Sequence, residues 1–113
     1  MVEIVKFLCD ILYDKKAEDI VILDLRELTD FTSYFIICTA LSDIHAKAVA
    51  DAVIEKMKKE RGQLPSSLEG YDFGHWVLID YSDVIVHIFL EKEREYYNLE
   101  LLWADAKKEN YKK

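Results

Sequence analysis

The stretch from Trp76 to Leu90, WVLIDY-SD-VIVHIFL, is the part of the sequence that decides the fold. Its two arms are rich in β-branched and aromatic residues, and the dipeptide Ser82-Asp83 separates them, which predicts a β-hairpin with a two-residue turn. The turn contains no glycine, so its type stays open. Because most residues in both arms are apolar, we expect the arms to be buried on both faces inside a larger sheet.

A few polar or amphipathic side chains interrupt this apolar hairpin. They are Trp76, Asp80, Tyr81, Asp83 and His87. A hairpin with so many apolar residues has little need of these groups for folding, and they are therefore the first candidates for function. Trp and Tyr anchor many protein interfaces because they bury a large area with few rotatable bonds. A second interpretation also stands, in which Trp76 belongs to the core and Asp80 and Asp83 form the turn.

The rest of the chain supplies helices and further strands. Before the hairpin, periodicity predicts a helix over 3 to 16, strands over 20 to 25 and 33 to 39, and a long helix capped by Ser42 and ended by Gly62. A loop with room for an edge strand follows over 64 to 71. After the hairpin we expect a helix over 91 to 108 and a frayed tail. In the last helix the apolar residues are spaced to cover the sheet. They are Tyr96, Leu99, Leu102 and Trp103.

The connection between the second strand and the hairpin is long enough for a parallel crossover. We therefore predict a single domain over residues 1–113 of class α/β or α+β, with a mixed sheet of four to five strands and packed helices.

The balance of charge narrows the class of partner. The chain has 113 residues, a formal net charge of −7 and a pI of about 4.9. Such a charge favours a basic protein partner and disfavours sequence-specific nucleic acid binding. The basic cluster at residues 56–61 is interpreted as a solvated helix face.

Cys9 and Cys38 are expected to be buried thiols, and the sequence predicts a cytoplasmic protein with no membrane segment.

The residue types that carry chemistry are present but poorly spaced. No histidine or cysteine falls in the short paired spacings of zinc sites. Ser42 lies near His45, but its hydroxyl already serves as the helix cap. Asp80 and Asp83 are three apart across a turn, whereas two-metal catalysis usually needs two carboxylates at i and i+2 of one strand. We predict no catalytic residue, metal or cofactor, and expect His87 to be a hydrogen-bonded structural or interface histidine.

One set of residues carries a resemblance to a known family. It comprises Tyr34–Thr39, Ser42, His45, Ala50-Asp51, Gly62, Pro65, Glu69-Gly70, Trp76–Tyr81, Asp83–Phe89, Arg94, Tyr97, Leu99-Glu100 and Leu102-Trp103. In this order and spacing, from residue 18 to residue 104, the chain resembles the ribosomal silencing factor family, also called the Iojap-like family. Three positions depart from the family pattern: Ala40 and Ser82 stand where it commonly has Gly, and Ile44 where it commonly has Arg.

The resemblance implies a fold similar to that of nucleotidyltransferases, without enzymatic activity; a nucleotidyltransferase-type enzyme is the alternative. It implies binding to the fourteenth protein of the large ribosomal subunit, on the face that meets the small subunit. Occupation of that face would block subunit joining and lower translation, notably when nutrients are scarce. It also implies a tendency to form homodimers. An acidic domain suits a basic ribosomal protein, and we expect the contact surface to comprise Trp76, Asp80, Tyr81, Asp83 and His87.

Overall fold

The computed structural model describes residues 2–113. Its helices are α1 (Glu3–Asp14), α2 (Asp43–Arg61), α3 (Glu91–Tyr97) and α4 (Leu99–Leu102), the last of which is a single turn. Its strands are β1 (Glu18–Asp24), β2 (Tyr34–Ala40), β3 (Ser67–Glu69), β4 (Trp76–Asp80), β5 (Val84–Leu90) and β6 (Lys107–Asn110). The predicted hairpin is formed by β4 and β5.

The six strands form one sheet in the order β3-β4-β5-β2-β1-β6. β2 and β5 run parallel, and the other neighbouring strands are antiparallel. The parallel connection through α2 that the sequence predicted is therefore confirmed, and the fold is α+β. The sheet has six strands rather than four or five because a short strand lies at each edge.

The two sides of the sheet are covered unequally. α1 and α2 lie on one side and bury the larger core, which includes Leu8, Leu12, Val49, Val53 and Met57. We call the opposite side the open face. Its strand side chains are Val21 and Leu23 of β1, Phe35 and Ile37 of β2, Trp76, Leu78 and Asp80 of β4, and Ile85, His87 and Phe89 of β5.

The C-terminal region differs from the predicted single helix over residues 91 to 108, and that prediction is wrong. Asn98 has a φ of +43°, a left-handed conformation that ends α3 at Tyr97. α4 and a turn follow, and the chain then adds β6 to the free edge of β1. Because the backbone of β6 is paired with β1, this strand forms without an apolar periodicity of its own.

The tail is also attached rather than frayed. The Tyr111 N–H donates to the carbonyl of Ile20 (2.9 Å), and the Tyr111 hydroxyl donates to the carboxylate of Asp10 on α1. Lys113 donates to Asp14 at 2.9 Å. These bonds hold the last residues against α1 and β1.

The ends of α2 match the sequence prediction. The Ser42 hydroxyl accepts a hydrogen bond from the His45 N–H (3.1 Å), which satisfies one of the free donors of the first turn. Gly62 follows the helix with a φ of +64°, and its N–H donates to the carbonyl of Lys58.

The hairpin tip contains an unusual turn. The Tyr81 N–H donates to the carbonyl of Val84 (2.9 Å), which leaves Ser82 and Asp83 at the tip as predicted. The Asp83 N–H donates to the carbonyl of Tyr81 (2.9 Å), so a three-residue γ-turn is centred on Ser82, whose φ is +71°. This form of γ-turn is rare and strained for residues other than glycine.

Replacing Ser82 with Gly is therefore expected to raise the free energy of unfolding by up to about 1 kcal/mol, because Gly adopts positive φ without steric cost and the change removes only the exposed hydrogen bond between the Ser82 and Ser66 hydroxyls (3.1 Å). Urea unfolding measures the change. Asn98→Gly is the control, because Asn98 also has positive φ but its side chain caps the Leu101 N–H, so no gain is expected there. A Ser82→Gly protein no more stable than the wild type would show that the turn is unstrained.

Candidate functional site

Of the four strands whose side chains line the open face, β4 is the most accessible there. The prediction that both arms of the hairpin are buried on both faces holds for β5 but is wrong for β4, where Trp76, Leu78 and Asp80 are half-buried while Val77 and Ile79 are buried. Its outer neighbour β3 has three residues, and the C-terminal segment lies over other strands. An apolar strand surface is thus left open to solvent along one side of β4.

Residues 91–106, which we call the lid, cover the β1–β2 half of the open face. Leu99, Trp103 and Ala106 pack against its core. The Arg94 guanidinium fixes the lid, because Nη1 donates to the Asp19 carbonyl and to the Thr39 hydroxyl, each at 2.8 Å. These bonds attach the lid to β1 and β2.

The carboxylate of Glu100 completes this clamp. It accepts a hydrogen bond from Arg94 Nε (3.0 Å) and lies 3.2 Å from Lys108 Nζ on β6. Burial acts to raise the pKa of Glu100, but the hydrogen bond and charge of Arg94 and the nearby Lys108 outweigh it, and the pKa lies below its usual value. The lid is therefore tied both to β2 and to the edge strand.

Trp76 lies at the border between the lid and the uncovered part of the face. Its indole stacks on Phe89 with ring centroids 4.8 Å apart and contacts the Tyr97 ring of the lid at 4.7 Å. The indole Nε1–H donates to Nδ1 of His87 at 3.1 Å. Trp76 thus belongs partly to the core of the open face and partly to its surface, so both sequence interpretations describe a part of it.

His87 is a buried histidine, with 3% of its surface exposed. Burial lowers the pKa of its imidazole to about 3, so the ring is neutral at physiological pH. The Phe35 ring stands edge-on to it with centroids 4.4 Å apart. A partner cannot reach this side chain directly, and any part it plays in binding passes through its neighbours.

The five predicted site residues do not form one cluster. Trp76, Asp80 and His87 share the open face, whereas Tyr81 points to the other side and packs against the larger core. Burial raises the pKa of Tyr81 to about 12, and its hydroxyl has no hydrogen-bond partner among residues 2–113. Asp83 is exposed at the hairpin tip.

The two aspartates also serve the turn. Asp80 Oδ1 accepts a hydrogen bond from the Ser82 N–H at 2.7 Å, and the Asp83 carbonyl accepts from the N–H groups of Ser33 and Tyr34 at 3.0 Å each. The interpretation of both as turn residues therefore has structural support. Their negative charges still stand at the open end of the β4 surface.

Sequence reasoning missed the apolar side chains around this surface. Tyr96 and Leu102, which were predicted to cover the sheet, are 79% and 73% exposed because α3 and α4 are separated by Asn98. Phe31, on the loop before β2, packs on Trp103 with ring centroids 6.0 Å apart and is itself more than half exposed. The signal available was the richness of residues 96–103 in large apolar side chains.

Negative charge is concentrated in the segment that contains β4 and the lid. Residues 62–106, which contain β3, β4, β5 and the lid, include nine Asp or Glu side chains against two Lys or Arg. This segment therefore carries the whole formal charge of −7, and the rest of the chain balances to zero. A positive partner would be drawn to the β4 side of the molecule.

His45, considered above as a base for Ser42, and Asp24 at the end of β1 are both engaged in structural hydrogen bonds. His45 Nδ1 accepts from the Leu41 N–H (3.0 Å) and Nε2 lies 2.7 Å from the Lys15 carbonyl, so neither nitrogen is directed to Ser42 as a base. The Asp24 carboxylate is held by the Arg26 guanidinium at 2.8 and 3.0 Å. Within residues 2–113 there is no group of three or more His, Cys, Asp or Glu side chains placed to hold a metal ion.

Membrane insertion through a helix has no candidate segment either. In the described chain, none of the helices combines the length and the apolar character that a membrane crossing requires.

Comparison with known proteins assigns the chain to a family. The family model described as ribosomal silencing factor during starvation matches residues 1–113. The chain belongs to this family. A ribosomal silencing factor of Bacillus subtilis is 45% identical over 98 residues, which cover 87% of this chain and 80% of that protein. The chloroplastic Iojap protein of Zea mays is 40% identical over 93 residues, covering 80% of this chain and 39% of that protein.

Solved structures agree with this assignment. A crystal structure of a protein from Chromobacterium violaceum superimposes with a TM-score of 0.86 at 38% identity and covers 90% of this chain and 84% of that one. A second, from Bacillus halodurans, gives a TM-score of 0.79 at 40% identity, with coverages of 89% and 93%. Translation regulation is the role that follows from membership of the silencing factor family.

Two of the departures from the family pattern have different settings in this silencing factor. Ala40 is buried at the end of β2, where a methyl group fits the core. Ile44 is 75% exposed in the first turn of α2, so this apolar side chain faces solvent.

Proposed function

We propose that this silencing factor binds the fourteenth protein of the large ribosomal subunit through the β4 side of its open face, in the cytoplasm, and that the bound protein sterically blocks joining of the small subunit. The half-buried apolar strand β4 is the observation that carries the proposal. A strand surface of this kind, bordered by aromatic side chains and polar groups, has the make-up of a protein interface.

The charge of the molecule supports a protein partner over ribosomal RNA. The acidic segment 62–106 would repel a phosphate backbone, whereas it would attract the lysines and arginines of a basic ribosomal protein. Steric blocking requires no chemistry, and we propose that the factor acts without catalysis.

Within this surface we assign different roles to the predicted residues. Trp76 is the aromatic anchor, together with Leu78 beside it on β4. Asp80 and Asp83 pair with cations of the partner. Tyr81 packs behind the hairpin and holds its tip in place.

The test is a subunit-joining assay by light scattering. Trp76→Ala is expected to weaken binding to purified large subunits about thirty-fold, or ~2 kcal/mol, and to lose inhibition of joining in proportion. The matched control is Leu64→Ala, which removes an exposed apolar side chain from the loop after α2 and should block joining as the wild type does. Thermal unfolding establishes that both variants are folded. A folded Trp76→Ala protein that blocks joining fully would remove Trp76 from the interface.

Binding should also depend strongly on salt concentration and on Asp80 and Asp83, which we place at the rim of the proposed interface. Charges at the rim of an interface mainly set the association rate, and salt screens them. Changing Asp80 and Asp83 together to Asn should lower the association rate with large subunits several-fold at low salt and flatten its salt dependence. Glu55→Gln, on the outer side of α2, is the control for a change of charge alone. Equal salt dependence in all three proteins would contradict the proposed rim.

We also propose that the free protein forms a homodimer through apolar side chains of the lid, such as Tyr96 and Leu102. These are the most exposed large apolar groups near the open face. Because the surrounding segment is acidic, two copies repel each other at low ionic strength. Sedimentation should therefore show more dimer as salt is raised, and Leu102→Ser should shift the protein to monomer at every salt concentration. A monomer in all conditions would exclude this pairing.

A further inference from the structure

We propose that His87 is a positioning residue, which fixes the orientation of the Trp76 indole on the open face and thereby shapes the surface that the partner meets. This inference rests on the proposed function and deepens it. It assigns to His87 a role through Trp76 and not a contact with the partner, because the imidazole is almost completely buried.

The hydrogen bond between the two rings determines the state of the histidine. The indole Nε1–H can only donate, so Nδ1 of His87, 3.1 Å away, must be the unprotonated acceptor. The neutral ring then carries its hydrogen on Nε2. That atom is buried and has no hydrogen-bond partner in the described chain, residues 2–113.

This arrangement is costly for folding. A buried N–H group without a partner loses its hydration and gains nothing in exchange. The neighbouring side chains on this part of the sheet are Phe35, Ile37 and Phe89, and an aliphatic residue of similar volume would fit among them without the unpaired Nε2–H. The indole N–H of Trp76 would lose its acceptor instead, but Trp76 is only half-buried, so stability alone gives no reason for a histidine at position 87.

The Trp76 indole shows what the histidine provides. Phe89 and Tyr97 contact its faces at 4.8 and 4.7 Å, but stacking contacts hold the plane of a ring without deciding which edge points outward. The bond to Nδ1 is directional and selects the orientation in which Nε1 points to β5. Preorganisation of this kind raises affinity because less freedom is lost on binding.

The experiment separates this role from a purely structural one. His87→Leu removes the acceptor at similar volume, and His87→Asn restores one, since the asparagine Oδ1 stands near the position of Nδ1. In ¹H–¹⁵N spectra of the free protein, His87→Leu should shift the indole N–H signal of Trp76 and speed its exchange with solvent. The indole signal of Trp103, which lacks this bond, is the internal control. His87→Asn should keep the Trp76 signal close to that of the wild type.

Binding to purified large subunits then completes a double-mutant cycle. His87→Leu should weaken binding about ten-fold, His87→Asn much less, and His87→Leu should add nothing in a Trp76→Phe background. A shifted Trp76 signal with unchanged affinity, or additive effects in the cycle, would overturn the positioning role. An unfolded His87→Leu protein would overturn it too, because the histidine would then be required by the core. If the wild type does not bind large subunits, the proposed function fails instead.

Discussion

Replacing Gly70 with Ala is expected to lower the free energy of unfolding by about 3 kcal/mol or more, whereas Gly62→Ala should cost about 1 kcal/mol. Both glycines have positive φ, +74° and +64°, so the backbone cost of a side chain is similar at the two positions. A Cβ at Gly62 would meet nothing within 4 Å, but a Cβ at Gly70 would lie 2.0 Å from the Trp76 carbonyl oxygen. The difference between the two losses of free energy of unfolding therefore measures the steric clash of the added Cβ at residue 70 with the Trp76 backbone.

The collision cannot be relieved cheaply, because the atom that the added methyl group would strike belongs to the first residue of β4, which pairs with β5 opposite Phe89. Either the loop after β3 or the start of β4 has to move. Urea unfolding of the two variants gives the comparison, and the Trp76 indole signal reports whether the strand shifts. Equal losses at Gly70 and Gly62 would show that the loop adapts and that the close approach is unimportant.

The centre of the fold could be predicted because its signals are local and strong. β2 and β5 are nearly continuous apolar runs, as expected for strands buried on both faces. Ser42 and Gly62 bound α2 by capping geometry that depends on a few neighbouring residues. These elements alone fix the parallel pair and the crossover between its strands.

The C-terminal region could not be predicted because its structure comes from distant partners. All four side chains of β6 are exposed, and the strand forms since the edge of β1 offers it hydrogen bonds. The lid is held by Arg94, whose acceptors Asp19 and Thr39 lie more than fifty residues away in the sequence. A local pattern of apolar residues carries no information about such distant contacts. In this region the helical spacing of apolar residues predicted one long helix, which is wrong.

The candidate site was predicted in composition but not in geometry. The alternation of side chains along a strand places Trp76, Leu78 and Asp80 on one face and Tyr81 on the other, so the separation of Trp76 from Tyr81 follows from parity alone. The side that remains open depends on where the lid lies. Leu78 was missed for that reason: it resembles any other apolar residue of the hairpin until the neighbouring strands are seen.

Acidification should destabilise the protein well before its carboxylates are protonated. Between pH 6.5 and pH 4.5 the free energy of unfolding is expected to fall by about 2 kcal/mol through His87 alone. The pKa of His87 is about 3 in the folded protein against an ordinary value of 6.5. Below pH 6.5 the unfolded chain therefore binds a proton that the folded chain excludes, and stability is lost as the pH falls towards the folded pKa.

This range of pH separates the protonation of His87 from that of the carboxylates with lowered pKa values. Asp10, Asp24 and Glu100 all have lowered pKa values, so the stability that they contribute is complete above their ordinary pKa and is lost only at lower pH. Urea unfolding at several pH values gives the slope of the free energy of unfolding against pH. His87→Leu should remove most of this slope, leaving a protein whose stability changes little down to pH 4.5. The same slope in wild type and variant would mean that the buried imidazole takes up its proton without unfolding, and that the Trp76 hydrogen bond is broken in acid while the sheet remains intact.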